Sequence, residues 1–280
     1  MKRDRRSLSH VGGRVTVRGD RDAGRLLSSA LDVASALEDE DEAQAHVHGF
    51  HVYPARMHPL TARRLVEALS RPRGAVLDPF CGSGTVLVEA RLAGRFAAGV
   101  DANPLAVRLA RLKATTTTAA QRELLVTWAA KISQTADVRR EARAGASRRY
   151  PDADVALFDP HVLLELDGLR VGLEGFSPRS PEEVWAREAL WIVLSAILTK
   201  VSRRASDTAD AKAPRRAGPR CKGCQSAHGD RSDLGAVGLL SKVRGWASDS
   251  KTAVSLGNRL VGMRYAHQVD AAQAGRSAGE

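Results

Sequence analysis

The sequence predicts an α/β protein with a parallel βαβ core, a helical stretch after it and an irregular C-terminal tail. Three observations predict this. Between residues 74 and 113, short apolar runs alternate as strand, glycine turn, helix, strand and helix, the order of a βαβ unit. From Thr118 onward, apolar residues recur at helical spacing. Beyond residue 205 neither periodicity persists, and ten glycines appear in 75 residues.

Residues 1–45 read as an N-terminal arm and an amphipathic helix. The arm is basic, with a short strand expected at Arg14–Arg18. Over Asp20–Leu37 the positions Leu26, Leu27, Ala30, Leu31, Ala34 and Leu37 share one helical face. The acidic run Glu38–Glu42 ends that helix. Residues 46–114 form the α/β core. His46–Pro59 reads as an extended loop, and a helix follows over Leu60–Ser70 with Leu65, Val66 and Leu69 inward. Pro72 and Gly74 break it. A short buried strand over Gly74–Leu77 precedes the glycine turn, Thr85–Ala93 is helical, Phe96–Val100 is the second strand, and Pro104–Lys113 is a helix with proline in its first turn. Residues 115–205 read as a helical insertion. Its clearest element is Glu182–Val201, where Val184, Trp191, Leu194, Ile197, Leu198 and Val201 fall on one face. Trp185 and Trp191 read as core residues.

The chain of 280 residues carries a formal charge of +11 and a pI near 10.2. That balance suits a polyanion, nucleic acid first among them; the competing reading is simply arginine-rich surface. No basic start is followed by an apolar run, and the longest uncharged apolar stretch, Ala189–Thr199, is too short to cross a bilayer. A cytoplasmic protein without membrane contact is expected. Cys221 and Cys224 form a lone CxxC whose spacing to His228 and His267 fits no zinc pattern, and Cys81 stands apart. Neither a disulfide framework nor a metal is expected.

The turn "VLDPFCGSGTVLVEA" (residues 76–90) narrows the ligand. A P-loop needs lysine after its last glycine, and none follows Gly84. A dinucleotide turn needs a third glycine where Leu87 stands. What remains is a glycine turn preceded by Asp78 at the strand end. A carboxylate there repels phosphate and attracts a cation. S-adenosylmethionine meets that requirement: it has no phosphate, but an α-ammonium, a sulfonium and a ribose. Asp78 can accept from the ammonium, while Gly82 and Gly84 permit close backbone approach. Phe80 offers an apolar face. Asp101, at the next strand end, is suited to ribose hydroxyls, with Asn103 and Pro104 opening the following helix near the adenine.

"DPFCGSGTVLVEA" followed by "GVDANPLAVRLARLKA" resembles the cofactor half of the DNA amino-methyltransferases, which methylate the exocyclic amine of adenine or cytosine. "FHVYPARMHPLTARRLV" (residues 50–66) resembles that family's additional cofactor motif, an aromatic-Pro-Ala-basic loop. The resemblance implies a Rossmann-like methyltransferase sheet, S-adenosylmethionine as cofactor, DNA as partner and a place in restriction–modification. It implies cofactor contacts from Tyr53, Pro54, Ala55, Asp78, Pro79, Phe80, Cys81, Gly82, Ser83, Gly84, Thr85, Asp101, Asn103 and Pro104. RNA guanine amino-methyltransferases share a similar turn, so RNA is the second partner considered.

The family's catalytic loop, an Asp/Asn/Ser-Pro-Pro-aromatic segment that receives the flipped base, has no counterpart: the sequence contains no Pro-Pro dipeptide. Asp159, in "ALFDPHVLL", is the nearest candidate, though Asp159-Pro160 also reads as a helix start. "KVSRRASDTAD" (residues 200–210) resembles a stretch that some relatives carry before that loop, with Lys200, Arg203 and Arg204 suited to phosphate contact or to a solvated helix end. An enzyme and a non-catalytic cofactor- or DNA-binding remnant therefore both remain open. Residues 1–205 hold 12 glutamates and residues 206–280 hold one, with no Ile or Phe. The tail 206–280 is either off-frame translation or a flexible basic nucleic-acid segment.

Overall fold

The computed structural model of the chain describes residues 16–32, 45–51, 53–54, 56–202 and Val243, the side chains of residues 199 and 200 excepted. Helix α1 spans Arg21–Leu31. A 3-10 turn, His48–Phe50, leads to α2 (Pro59–Leu69), β1 (Ala75–Asp78), α3 (Thr85–Leu92), β2 (Phe96–Gly99) and α4 (Pro104–Ala114). Four further helices follow: α5 (Ala119–Glu141), α6 (Asp152–Val155), α7 (Pro160–Glu174) and α8 (Pro181–Val201). No helix among the described residues is long and apolar enough to cross a membrane.

β1 and β2 pair in parallel, Ala75 opposite Phe96 and Asp78 opposite Gly99. The parallel βαβ unit expected from the sequence is thus present as a two-stranded sheet crossed over by α3. Helix α3 packs on one sheet face, α2 packs on α3, and α1 on α2; α8 bridges α4 to the pair α5 and α7. Packing against the sheet is tight, because a Cβ at Gly99 would lie 2.7 Å from Leu87 Cδ1 and 2.8 Å from Cys81 Cβ. Helix starts follow local chemistry. Asp20 caps α1 through the N–H groups of Asp22 and Ala23, Asn103 caps α4, Thr118 and Gln121 form a capping box on α5, and Ser180 caps α8.

Several expectations are corrected. Thr16–Arg18 are not strand, the rest of that segment lying outside the described residues. Helix α1 ends at Leu31, with Asp32 leaving helical geometry as its C-cap. Ala30 is its buried residue, whereas Leu26, Leu27 and Leu31 are exposed; Ala34, Leu37 and the acidic run lie outside the described residues. On α2, Leu69 is exposed while Ala62 and Val66 turn inward. β1 is not a buried strand: Ala75, Leu77, Phe96 and Ala98 share the sheet face opposite α3, and all four are exposed. The reason is that among the described residues helices cover one face only, where parallel sheets ordinarily bury both.

On α8 the inward surface is wider than one stripe. Ala186, Ala189, Leu190, Ile192, Val193, Leu194, Ala196 and Ile197 are all buried, while Val184 and Leu198 are exposed. A helix apolar on most sides is a central helix, and α8 occupies that place between α4, α5 and α7. Trp185 and Trp191 pack against the core as expected. Val243, from the tail region, is fully buried in that core; the rest of the tail and the CxxC lie outside the described residues.

The asymmetry of the sheet predicts unequal costs. Leu87→Ala, at 0 % exposure, should lower unfolding stability by about 2–5 kcal/mol. Leu77→Ala, at 67 % exposure, should cost less than about 1 kcal/mol. Urea denaturation of the two variants checks the ranking.

Candidate cofactor site

The two strands end side by side, and the glycine turn is fastened between their tips. Cys81 N–H donates to the Val100 carbonyl (3.0 Å), and Gly84 N–H to the Cys81 carbonyl (2.8 Å). Asp78 Oδ1 accepts the Phe80 N–H at 3.1 Å. Asp101 uses both oxygens: Oδ2 accepts Gly82 N–H at 2.8 Å, and Oδ1 accepts Asn103 N–H at 2.8 Å. Asp101 therefore fixes the turn as well as standing at the strand end. Each carboxylate oxygen retains a further lone pair for a hydroxyl donor.

The loop before α2 folds over this turn. Asn103 Nδ2 lies 3.3 Å from Tyr53 Oη, and a Cβ built on Gly82 would sit 3.5 Å from Tyr53 Cε1. Gly82 has φ +49°, a conformation glycine adopts without strain. Burial, reinforced by the nearby Asp101 charge, raises the Tyr53 phenol above its ordinary range. The structure thus brings together Tyr53, Asp78, Phe80, Gly82, Asp101 and Asn103, which the sequence places up to 50 residues apart. Phe80 is 87 % exposed, an apolar face beside the turn. Pro54, Pro79 and Pro104 are exposed around it, Pro104 opening α4. Ala55 lies outside the described residues.

Other turn residues face inward. Gly84, at φ +84°, would carry a Cβ 2.8 Å from Ala110 Cα, so this glycine serves the contact of α3 with α4. Cys81 is buried behind Gly99, and burial followed by the Asp78 and Asp101 charges pushes its thiol up to about 11, leaving it unreactive. Ser83 is buried, with Lys113 Nζ 3.4 Å from its Oγ. Thr85 Oγ1, in the first turn of α3, is buried and without a protein hydrogen bond.

Beneath the turn lies a cluster that sequence reasoning missed. Glu89 of α3 is fully buried; its Oε1 lies 2.7 Å from His48 Nε2, and its Oε2 accepts from Arg63 Nε at 2.9 Å. Arg56 donates to the His48 carbonyl. Burial holds His48 down at about 4, so it is neutral and donates from Nε2. Burial opposes ionisation of Glu89, yet the His48 hydrogen bond and Arg63 keep it below the usual carboxylate range. Lys113 lies beside this cluster, and burial, with Arg56 adding to it, lowers its ammonium to about 7. The signal in the sequence was a charged residue at an inward position of a helical run, Glu89 in "TVLVEA" and Lys113 in "LARLKA". Of the loop residues, His58 is a buried N-cap of α2 whose Nδ1 accepts from Leu60 N–H, and not a surface residue.

Asp159 stands at the start of α7 as its N-cap, with Pro160 at N1; this is the helix-start alternative. Lys200 lies in the last turn of α8, its side chain undescribed, and Arg203 and Arg204 lie outside the described residues. Among the described residues no cluster of three or more His, Cys, Asp or Glu could hold a metal ion.

Two carboxylates at adjacent strand ends, a glycine turn without a P-loop lysine and an aromatic loop beside it lie together in an α/β protein. Comparison with known proteins carries this further. Residues 18–112, about a third of the chain, match the profile of a family described as DNA methylase. The type II methyltransferase M.MvaI of Kocuria varians is 38 % identical over 71 residues, 24 % of this chain and 16 % of that protein. The type II methyltransferase M.MjaII of Methanocaldococcus jannaschii is 33 % identical over 82 residues, 29 % and 16 %. A tRNA (guanine(10)-N2)-dimethyltransferase of Methanothermobacter thermautotrophicus is 39 % identical over 77 residues, 27 % and 22 %. The chain thus spans about a sixth of the length of the first two. No solved structure matches it. Over residues 18–112 the chain is similar to DNA methylases.

The buried cluster yields two predictions. Glu89→Gln removes the charge from a paired, fully buried group and should lower stability by about 3–5 kcal/mol, read by denaturant titration. Lys113 takes up its proton more weakly in the folded chain than its ordinary 10.5. The unfolded chain therefore binds more protons between about pH 7 and 10.5, and stability should climb with pH across that window. Lys113→Met should raise the melting temperature below pH ~7, and the gain should shrink as pH rises through the window; scanning calorimetry across pH tests this.

Proposed function

We propose that this chain binds S-adenosylmethionine and serves methyl transfer to the exocyclic amino group of adenine or cytosine in DNA. The observation that carries the reading is the convergence of Tyr53, Gly82, Asp101 and Asn103 at the two strand tips. The residues fit the cofactor's chemistry. Asp78 is suited to the α-ammonium, Asp101 to the ribose hydroxyls, and Asn103 with Pro104 to the region of the adenine. The unpartnered Thr85 Oγ1 lies at the start of α3, where the glycine turn ends. Phe80 and Tyr53 offer apolar surface on either side of the turn. When bound, the cofactor supplies an electrophilic methyl on a sulfonium; the protein's part is to orient it, with carboxylates that favour its positive charge.

In this reading the βαβ unit is part of a larger Rossmann-like methyltransferase sheet within residues 46–114, residues 115–205 are a helical insertion, and the protein works in restriction–modification. The type II methyltransferases among its relatives support that. Asp159 is a weak candidate for the catalytic loop, being a helix N-cap, and Lys200, Arg203 and Arg204 remain candidates for phosphate contact. A second reading, guanine amino-methylation of RNA, draws on the tRNA methyltransferase relative. A third, a non-catalytic remnant, draws on the absence of any Pro-Pro dipeptide.

Isothermal calorimetry with S-adenosylmethionine and its demethylated product tests the first step. Saturable heat is expected for the wild type. Asp101→Asn should weaken binding by about tenfold, the worth of one hydrogen bond to a charged group. No heat with either compound would overturn the reading. Labelled methyl transfer to DNA and to RNA then separates the three readings: transfer to neither, with cofactor bound, identifies the remnant.

A further inference from the structure

Residues 142–151 connect α5 to the short helix α6, and one buried carboxylate organises them. Asp167 of α7 is 1 % exposed. Its Oδ1 accepts from the Tyr150 hydroxyl (2.6 Å), Ser147 Oγ (2.7 Å) and Arg170 Nη2 (2.9 Å). Its Oδ2 accepts from Ser147 N–H (2.8 Å) and Arg139 Nη2 (3.2 Å). Arg139 donates as well to the Gly145 carbonyl at 2.9 Å, and Arg170 Nε to Tyr150 Oη at 3.1 Å. Burial opposes the Asp167 charge, but the Tyr150 and Ser147 hydrogen bonds and Arg170 hold it far below the usual carboxylate range. The platform underneath is rigid, because α5 and α7 meet at Gly168 and Gly172, where a Cβ would lie 3.0 and 3.1 Å from Ala136 and Ile132.

The outer side of this loop is basic. Arg140, Arg143, Arg148 and Arg149 are exposed. Arg140 pairs with Asp137 at 2.9 Å. Arg148 lies over the Tyr150 ring at 4.9 Å, so the residue tied to Asp167 also orients an exposed guanidinium. Glu141 is the single acid between Asp137 and Asp152. Arg143 reverses the chain at φ +50°. Loops are ordinarily mobile; this one makes three hydrogen bonds to one carboxylate, two from Ser147 and one from Tyr150, while its arginines are exposed. Guanidinium groups held in place lose less entropy on meeting phosphate and can engage it through two N–H groups at once.

We propose that the loop 142–151 is a preformed clamp for the phosphate backbone of duplex DNA, contacted by Arg143, Arg148 and Arg149. The choice of DNA rests on the functional reading above, and the chain's charge of +11 accords with it. The loop stands at the far end of α5, whose 23 residues carry it ~35 Å along the helix axis from the α4–α5 junction.

The experiment is a salt titration of full-length protein on a short duplex of arbitrary sequence. The variant is Arg143→Gln/Arg148→Gln/Arg149→Gln. Affinity should fall about tenfold or more, and the slope of log K against log salt should flatten by about 0.9 for each lost contact. The melting temperature and S-adenosylmethionine binding should not move. An unchanged slope, or no binding of duplex by the wild type, would overturn the clamp. A larger flattening on duplex RNA than on DNA would overturn the choice of DNA. Loss of slope in a protein that gives no heat with the cofactor would support the clamp while sinking the reading of the glycine turn.

Discussion

The carboxylate of Glu89 is the interaction on which the site depends. It lies inside α3, one turn beyond the glycine turn, and is reached by His48 from a loop 41 residues earlier and by Arg63 from α2. Taking a carboxylate out of water costs several kcal/mol, and the attraction to its partners offsets that only when its oxygens are well bonded. Both Glu89 oxygens are bonded here. The same His48 lends its carbonyl to Arg56, so the loop is gripped on either side of Tyr53. Tyr53 can then rest against Gly82 and reach Asn103. At the same end of the loop, His51 Nε2 lies 3.1 Å from Ser195 Oγ, and Val47 and Phe50 are buried.

The glycine turn divides its labour between ligand side and core side. Gly82 meets the Tyr53 ring, and Gly84 meets the backbone of Ala110. Replacing Gly84 would therefore push α3 from α4, whereas replacing Gly82 would strain the turn beneath the aromatic loop. Asp101 works on both sides at once, bonding Gly82 and Asn103 while keeping lone pairs free. Local order at the strand tips is thus imposed by one carboxylate, Asp101.

The β-α-β order and the boundaries of α2, α3, α4 and α8 to within one or two residues were legible in the sequence. Short-range rules determine them: proline at N1, Asn and Ser caps, glycine after a strand. What was not legible depends on packing between elements. That Gly84 also lets α3 approach Ala110 is seen only in the packing. Leu77 reads as buried because apolar strands usually are, yet its face carries no helix among the described residues. The width of the buried surface on α8 follows from its having neighbours on several sides, which a one-face pattern does not reveal. Glu89 and Lys113 were hidden because a single charge in an apolar run has no meaning until its partner is placed.

Glu89 and Asp167 show the same physical device used twice. Each is an acid within an apolar helical run, "LVEA" and "LELDGL", at a position that helical spacing assigns to the interior. Each is fully or nearly buried and is nevertheless kept ionised by donors from a preceding loop together with donors from helices. A hydrophobic contact is not directional and would let such a loop slide; hydrogen bonds to a fixed carboxylate specify where each donor must be. In one case the loop so fixed carries Tyr53 to the strand tips, in the other it carries arginines outward. Buried charge here costs stability that an apolar side chain would not, and what it returns is the position of a loop.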